Sequence, residues 1–334
     1  MDLESLGWNS AFENAFKPYA DQGYTAGRIS SEHKNIYRVH TERGELLARM
    51  TGKMIRESRA KHDFPAVGDW VAMKIRASEE RAAIHAILPR HSKFTRQAAG
   101  FNVAEQVIAA NIDTVFLVTA LNNDFNIRRM ERYLTLAWES GANPVFILNK
   151  ADICDNIDQM IAEVESVACD VPIHAVSAVT GHGLDHLTQY LRKGETLVLL
   201  GSSGAGKSTL VNTWYGQDIQ TVNQTRQGDD KGRHTTTYRR LMVLPEGAIV
   251  IDTPGLREIQ LWGTDDSLND VFKEIAQYEA GCRFRDCSHD GEPDCMVKQA
   301  LEEGKIEPSR YESYLKLKRE LGLLSDKRGH QEKR

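Results

Sequence analysis

One segment of the chain, GSSGAGKS at residues 201–208, has the spacing G-x-x-x-x-G-K-S of a phosphate-binding loop. It follows the apolar run TLVLL and precedes a helical pattern, which is the strand–loop–helix setting that such a loop requires. Glycines let backbone N–H groups approach phosphate oxygens, and the helix N-terminus adds positive potential. We expect Lys207 to contact the β- and γ-phosphates and the Ser208 hydroxyl to hold Mg²⁺. The predicted phosphate-binding residues are Gly201, Ser202, Ser203, Gly204, Ala205, Gly206, Lys207, Ser208 and Thr209.

A second motif, Asn149-Lys150-Ala151-Asp152, follows the apolar run PVFIL and predicts which base is bound. The Asp152 carboxylate can accept from both N1–H and the 2-amino group of guanine, whereas adenine would leave it unpaired at a cost of about 1.5–3 kcal/mol. We expect Asn149 to bridge toward the base and the phosphate loop, and the Lys150 stem to cover the base plane. Ser177-Ala178, after the run IHAV, is expected to bring a backbone amide to guanine O6. The predicted ligand is therefore GTP or GDP.

Two further segments are expected near the γ-phosphate and Mg²⁺. The motif DTPG at 252–255 ends the apolar run AIVI, so Asp252 should hold Mg²⁺ through a water and the Gly255 amide should lie near the γ-phosphate. The motif GRHTTT at 232–237 lies in a long polar segment, where either Thr235 or Thr236 is expected to close over Mg²⁺ when the γ-phosphate is present.

The order of these motifs is unusual. GTPases that resemble translation factors run from phosphate loop to threonine segment, DxxG, NKxD and SA, but here NKAD and SA precede the phosphate loop. Moving the chain ends need not alter which strands are neighbours in a sheet. The order therefore predicts a circularly permuted GTPase domain, in which the segment after DTPG continues directly into the C-terminal region.

A cysteine-rich segment near the C-terminus predicts a metal site. Three cysteines and a histidine occur within fourteen residues, at Cys282, Cys287, His289 and Cys295. Three thiolates and one imidazole suit tetrahedral Zn²⁺, and four protein ligands leave no open position for catalysis. One structural Zn²⁺ is therefore expected, with redox-active cysteines as the alternative. Cys154 and Cys169 are expected in the core.

The pattern of apolar residues predicts a multidomain α/β protein. Residues 1–23 read as a helical extension, and residues 24–98 contain short β-like runs separated by glycines, which suggest an OB-fold barrel. Strands and helices alternate over residues 99–260, as expected for the permuted P-loop GTPase domain. Residues 261–334 read as a helical zinc-binding domain with a basic tail.

Charge and composition set limits on partners and location. The net charge is −5, yet residues 24–99 carry 15 Lys and Arg against 8 Asp and Glu, which favours RNA binding by the barrel, an ordinary basic surface being the alternative. No apolar run reaches membrane-spanning length and no signal peptide is recognised, so we expect a cytoplasmic protein with no membrane contact. A monomer is expected because no oligomerisation stripe is apparent.

A basic barrel, a permuted GTPase and a Cys-Cys-His-Cys zinc domain, in this order, resemble the RsgA (YjeQ/YloQ) family of ribosome-associated GTPases over about residues 24–322. The resemblance implies that the barrel and the zinc domain contact the small (30S) ribosomal subunit and its rRNA. It also implies a role in late subunit maturation, with hydrolysis stimulated by the subunit and coupled to release of the protein or of an assembly factor.

The resemblance also bears on the catalytic residues. Leu256 stands where many GTPases have a water-orienting glutamine, so intrinsic hydrolysis should be slow. In the family a histidine of the GRHTTT segment is proposed to substitute, which is His234 here, beside Lys207, Thr235 and Thr236. The alternative is that His234 is an ordinary solvated residue, and that the protein is a nucleotide-responsive RNA-binding module with negligible turnover.

Overall fold

The computed structural model describes residues 2–58, 60–75, 81–97, 105–168, 170–216, 239–252 and 265–332. The chain begins with helix α1 (Ser10–Ala20), which starts where the side chain of Asn9 accepts hydrogen bonds from the next free N–H groups. Phe12 and the preceding Trp8 pack against the fully buried Trp70 of the first domain. This aromatic contact holds the N-terminal segment against the barrel.

In the described residues the N-terminal barrel consists of β1 (Thr25–His33), β2 (Ile36–Thr41), β3 (Gly44–Met50), β4 (Trp70–Ile75) and β5 (Arg81–Ile87), with helix α2 (Gly52–Glu57) after β3. The pairs β1–β2, β2–β3, β3–β5, β5–β4 and β4–β1 form a closed ring, as the predicted OB-fold requires. Alternate side chains point inward, and the interior contains Ile29, Val39, Met73 and Ile84. The predicted barrel is confirmed.

A hairpin that the sequence pattern does not indicate follows the barrel. Strands β6 (Lys93–Gln97) and β7 (Glu105–Ala110) pair antiparallel in a two-stranded sheet separate from the barrel strands. The chain then enters the second domain at strand β8 (Thr114–Ala120), all seven residues of which are buried.

The second domain contains the strands β9 (Asn143–Asn149), β10 (Ile173–Val176), β11 (Thr196–Gly201), β12 (Arg240–Val243) and β13 (Ile249–Asp252). The spatial order is β10-β9-β8-β11-β13-β12, and only β12 runs antiparallel to its neighbour β13. Helices α3 (Ile127–Ser140), α4 (Ile157–Glu165) and α5 (Lys207–Tyr215) connect the strands. A 3-10 helix over Leu184–Tyr190 lies between β10 and β11. The other edge of β12 reaches β1 through Ser31 and Arg240, so the sheet continues into the barrel.

Within residues 265–332 the C-terminal region contains the helices α6 (Asp265–Val271), α7 (Lys273–Glu279), α8 (Met296–Glu302) and α9 (Pro308–Glu332). The loop between α7 and α8 contains the four predicted metal ligands. Cys154 is partly buried against the large core that spans the second domain and these helices, whereas Cys169 lies outside the described residues. None of the helices in the described ranges is long and apolar enough to cross a membrane.

Candidate functional site

The predicted phosphate loop connects β11 to α5. Two of its glycines have positive φ angles and no space for a side chain: a Cβ on Gly201 would lie 2.2 Å from the Val118 carbonyl oxygen, and one on Gly206 would lie 2.0 Å from Asn149 Nδ2. The backbone therefore adopts a conformation that only glycine can supply at these two positions. α5 starts immediately afterwards at Lys207, so its free N–H groups face the loop.

Two side chains hold the loop in shape. Lys207 Nζ donates hydrogen bonds to the carbonyl oxygens of Gly201, at 2.8 Å, and of Ser202, at 2.6 Å. The Ser202 hydroxyl donates to Asp124, which also accepts from Arg129 at 2.8 Å. Burial raises the pKa of Asp124, but these two hydrogen bonds outweigh it and lower the pKa below its usual range. Asp124, in the NND turn after β8, is a contact of the loop that sequence reasoning missed.

The predicted base-reading residues meet the phosphate loop through Asn149, which is buried at the end of β9. Its Nδ2 donates to the Ala205 carbonyl oxygen at 2.9 Å, and its Oδ1 accepts from the Ala178 backbone N–H at 3.0 Å. One amide side chain thus joins the phosphate loop to the Ser177-Ala178 loop. The contact with the phosphate loop is the one expected of Asn149, and the contact with Ala178 is an additional one that the sequence did not indicate.

The other residues of the NKAD motif follow as a tight turn. Lys150 has a φ of +67°, in the left-handed region, and Ala151–Ile153 form a 3-10 helix. This turn leaves Asp152 exposed to solvent beside the Ser177-Ala178 loop, which is itself buried. A carboxylate at this position can accept hydrogen bonds from an entering base.

Parallel strand pairing brings Asp252 to the same end of the sheet. β11 and β13 are neighbours in register, with Val198 opposite Ile251, so the last residue of β13 lies beside the strand that leads into the phosphate loop. Ser203 and Gly204 are exposed at the tip of that loop, and Ser208 and Thr209 are half-buried in the first turn of α5. The predicted His234, Thr235, Thr236 and Gly255 lie outside the described residues.

The four predicted metal ligands come together. The ligand atoms of Cys282, Cys287, His289 and Cys295 all lie within 4.8 Å of one another. The Sγ atoms of Cys282 and Cys295 are 4.0 Å apart, and His289 Nδ1 lies 3.7 and 3.5 Å from them. A tetrahedron with Zn–S bonds of about 2.3 Å has sulfur atoms roughly 3.8 Å apart. The donor set therefore fits Zn²⁺ in both chemistry and spacing.

Local features also suit a metal. His289 has a φ of +63°, an uncommon conformation for a residue with a side chain. Burial, together with the neighbouring thiols of Cys295 and Cys282, raises the pKa of Cys287. Without a cation these thiols therefore favour the protonated form, and a bound cation would stabilise the thiolates and offset their mutual repulsion.

A parallel sheet with a phosphate loop after one strand and a base-reading motif before it in sequence defines a P-loop GTPase whose motif order is circularly permuted. Residues 87–262 match the model of the RsgA GTPase family. The chain is 48% identical over 329 residues to a protein of Opitutus terrae, covering 96% of this chain and 90% of the relative. It is also 48% identical to a protein of Lactiplantibacillus plantarum, covering 90% and 84%. The chain belongs to the RsgA GTPase family, which confirms the predicted family and GTPase activity.

Solved structures agree with this assignment. YjeQ from Thermotoga maritima is 30% identical, with a TM-score of 0.66 over 89% of this chain and 98% of that one. YloQ, described as a circularly permuted GTPase, is 21% identical and has a TM-score of 0.63 over 90% of this chain and 95% of that one. The shared fold confirms the predicted permutation.

Proposed function

We propose that this protein is a GTPase that acts in the biogenesis of the small ribosomal subunit. The observation that carries the proposal is similarity over nearly the whole chain to relatives that are named small ribosomal subunit biogenesis GTPases. In this proposal the protein binds the small subunit and its rRNA in the cytoplasm, as a monomer, and GTP hydrolysis times the release of the protein itself or of an assembly factor.

The nucleotide is proposed to be GTP or GDP with Mg²⁺. The contact of Asn149 with both Ala205 and Ala178 supports this, because it fixes the base-reading turn relative to the phosphate loop. Asp152 would then accept from guanine, and Asp252 would approach Mg²⁺ through water. The contacting residues are proposed to be Asn149, Lys150, Ala151, Asp152, Ser177, Ala178, the loop Gly201 to Thr209, Asp252 and Gly255.

RNA binding by the barrel is supported by a basic surface on four neighbouring strands. The exposed Arg38 and Arg81 flank Leu47 on either side, in register across β2, β3 and β5. The exposed Arg49 and Lys74 flank Ala83 in the same way across β3, β5 and β4. Side chains that lie opposite each other in a sheet share a face, so these cations form one surface that can contact phosphates.

The metal centre is proposed to be structural. Zn²⁺ held by Cys282, Cys287, His289 and Cys295 would have no open position, and it would connect the loop between α7 and α8 at four points. Binding would therefore stabilise the C-terminal region rather than take part in hydrolysis.

The experiment that tests the proposed function is GTP hydrolysis by the purified protein alone and with small ribosomal subunits, with large subunits as the control. We expect slow turnover alone, because Leu256 cannot orient water, and strong stimulation by the small subunit only. Equal rates in all three samples, together with tight GTP binding, would replace the proposal with a nucleotide-responsive RNA-binding module.

The same assay tests the proposed catalytic role of His234, alongside Lys207, Thr235 and Thr236. His234→Ala is expected to abolish stimulated turnover while GTP binding persists, since a histidine that positions water is needed only for hydrolysis. Stimulated turnover equal to that of the wild type would contradict this role.

A further inference from the structure

A carboxylate outside the predicted ligand set contacts the metal centre. Glu279, the last residue of α7, has its Oε1 atom 2.7 Å from Nε2 of the buried His289. The other ring nitrogen, Nδ1, faces the thiols of Cys282 and Cys295 at 3.7 and 3.5 Å. The imidazole is therefore held by a carboxylate on one side and faces the sulfur atoms on the other.

The carboxylate is in turn held by α9. The Tyr314 hydroxyl donates to Glu279 Oε1, and Lys318 Nζ lies 3.1 Å from the same oxygen. A third residue of α9, Tyr311, donates its hydroxyl to the His289 carbonyl oxygen at 2.5 Å. Tyr314 is fully buried, and its ring centroid lies 6.1 Å from that of His289. The first half of α9 thus contacts the histidine both directly and through Glu279.

We propose that Glu279 is a positioning residue for the metal centre. It keeps the His289 proton on Nε2, so that the lone pair of Nδ1 points at the metal, and it ties metal binding to the docking of α9 through Tyr314 and Lys318. The inference rests on the proposed zinc site. A carboxylate that accepts the second N–H of a ligating histidine fixes the tautomer and the ring orientation, and its loss weakens metal affinity by about 10–100-fold.

A purely structural role for Glu279 is the competing explanation, because an ion pair between α7 and α9 would stabilise the region even if the tautomer were free. Glu274 provides a matched control for this. It lies on the same helix, five residues before Glu279, and accepts a hydrogen bond from Arg310 Nε of α9 at 2.7 Å. Glu274→Gln weakens the same helix contact and leaves the hydrogen bond to His289 in place.

The test is the zinc affinity of the full-length protein, measured by competition with a chromophoric chelator, for the wild type and for Glu279→Ala, Glu279→Gln and Glu274→Gln. We expect Glu279→Ala to lose about 10–100-fold in affinity, and Glu274→Gln to stay within about twofold of wild type. Glu279→Gln should lie between the two, because an amide oxygen at the Oε1 position still accepts from Nε2–H but carries no negative charge to hold the Lys318 ammonium. Because Glu279→Gln keeps the side-chain shape, its zinc affinity tests the inference if Glu279→Ala does not fold.

Nitrogen-15 spectra of the histidines in the zinc-loaded protein provide the second readout. We expect the wild type to show His289 protonated at Nε2 and metal-bound at Nδ1, and Glu279→Ala to show broadened or mixed signals. Zinc affinity in Glu279→Ala and Glu279→Gln equal to that of wild type would overturn the inference, as would an equal loss in Glu274→Gln. A wild-type protein without one equivalent of zinc would instead overturn the proposed metal centre, and the inference with it.

Discussion

A buried ion pair joins the nucleotide-binding domain to the C-terminal helices, and its removal should destabilise the protein strongly. Glu131 of α3 is fully buried, and Arg310 Nη1 of α9 donates to it at 2.6 Å. Arg310 also donates to Glu274 at 2.7 Å and to the Val271 carbonyl oxygen at 2.8 Å, and its guanidinium lies 4.3 Å from the Phe272 ring centroid. The arginine therefore connects α9 to three other helices, α3, α6 and α7, at one point.

Glu131→Ala removes the fully buried partner and leaves the guanidinium of Arg310 in place. Breaking a buried pair in this way costs about 3–5 kcal/mol. The remaining contacts of Arg310 with Glu274 and Val271 place the expected loss near the lower end, at about 3 kcal/mol. Glu131→Gln keeps the shape and an acceptor but loses the charge, so we expect about 2 kcal/mol.

The assay is urea unfolding of the zinc-loaded full-length protein, followed by tryptophan fluorescence, because Trp138 lies on α3. Glu57→Gln is the control: its partner Lys53 is 3.8 Å away and both side chains are mostly exposed, so we expect a change below about 1 kcal/mol. The double variant Glu131→Leu with Arg310→Leu should recover part of the loss, since it removes both members of the buried pair and leaves the partly exposed Glu274 without its partner. A shift for Glu131→Ala no larger than that for Glu57→Gln would refute the reasoning.

Three further predictions concern the base, the domain junction and pH. Asp152→Asn should weaken GTP binding by about 10–100-fold and favour xanthosine triphosphate, whose 2-carbonyl can accept from the amide; unchanged GTP affinity in equilibrium titrations would contradict this. Arg28→Met should destabilise the protein by about 3 kcal/mol in thermal unfolding, because three buried backbone carbonyls lose a donor; a midpoint within a degree of wild type would argue against it. Burial lowers the pKa of His174 below its ordinary value of 6.5, with a further contribution from His186. The unfolded chain therefore takes up this proton first as pH falls, and stability should decrease below about pH 6.5. His174→Gln should flatten that slope in urea titrations at pH 7 and 5, and an unaltered slope would count against the assignment.

Local patterns in the sequence account for what could be predicted. The run TVFLVTA is mostly apolar because β8 is buried on both faces, and the glycines of the phosphate loop are required by the close approach of Val118 to Gly201 and of Asn149 to Gly206. The cysteine spacing indicates the metal ligands because all four lie in one short loop. In each case the signal lies within one short segment of the sequence, although the contacts that require glycine at Gly201 and Gly206 come from distant residues.

Contacts between distant segments could not be predicted in this way. Arg28 and Glu131 occur in segments that read as polar strand and helix surface, yet both are fully buried, since their partners lie 83 and 179 residues away at Asn111 and Arg310. Asp124 and Glu279 are likewise ordinary acidic residues in sequence. Only the packing of α9 and of the phosphate loop against them shows their roles.

The barrel is attached directly to the strand that leads into the phosphate loop. Arg28 Nη2 of β1 donates to Thr196 Oγ1 at 2.9 Å, and Thr196 starts the strand β11 that ends at Gly201, about 16 Å away at 3.3 Å per residue.

The barrel also pairs with β12 through Ser31 and Arg240, and β12 pairs with the strand that ends at Asp252. The barrel, which is proposed to bind RNA, is therefore hydrogen-bonded directly to β11 and through β12 to β13. These two strands lead to the proposed phosphate and Mg²⁺ contacts. A barrel displaced by RNA would move these strands together. Loosening the junction at Arg28 should therefore reduce the effect of RNA on nucleotide affinity more than it changes nucleotide affinity itself.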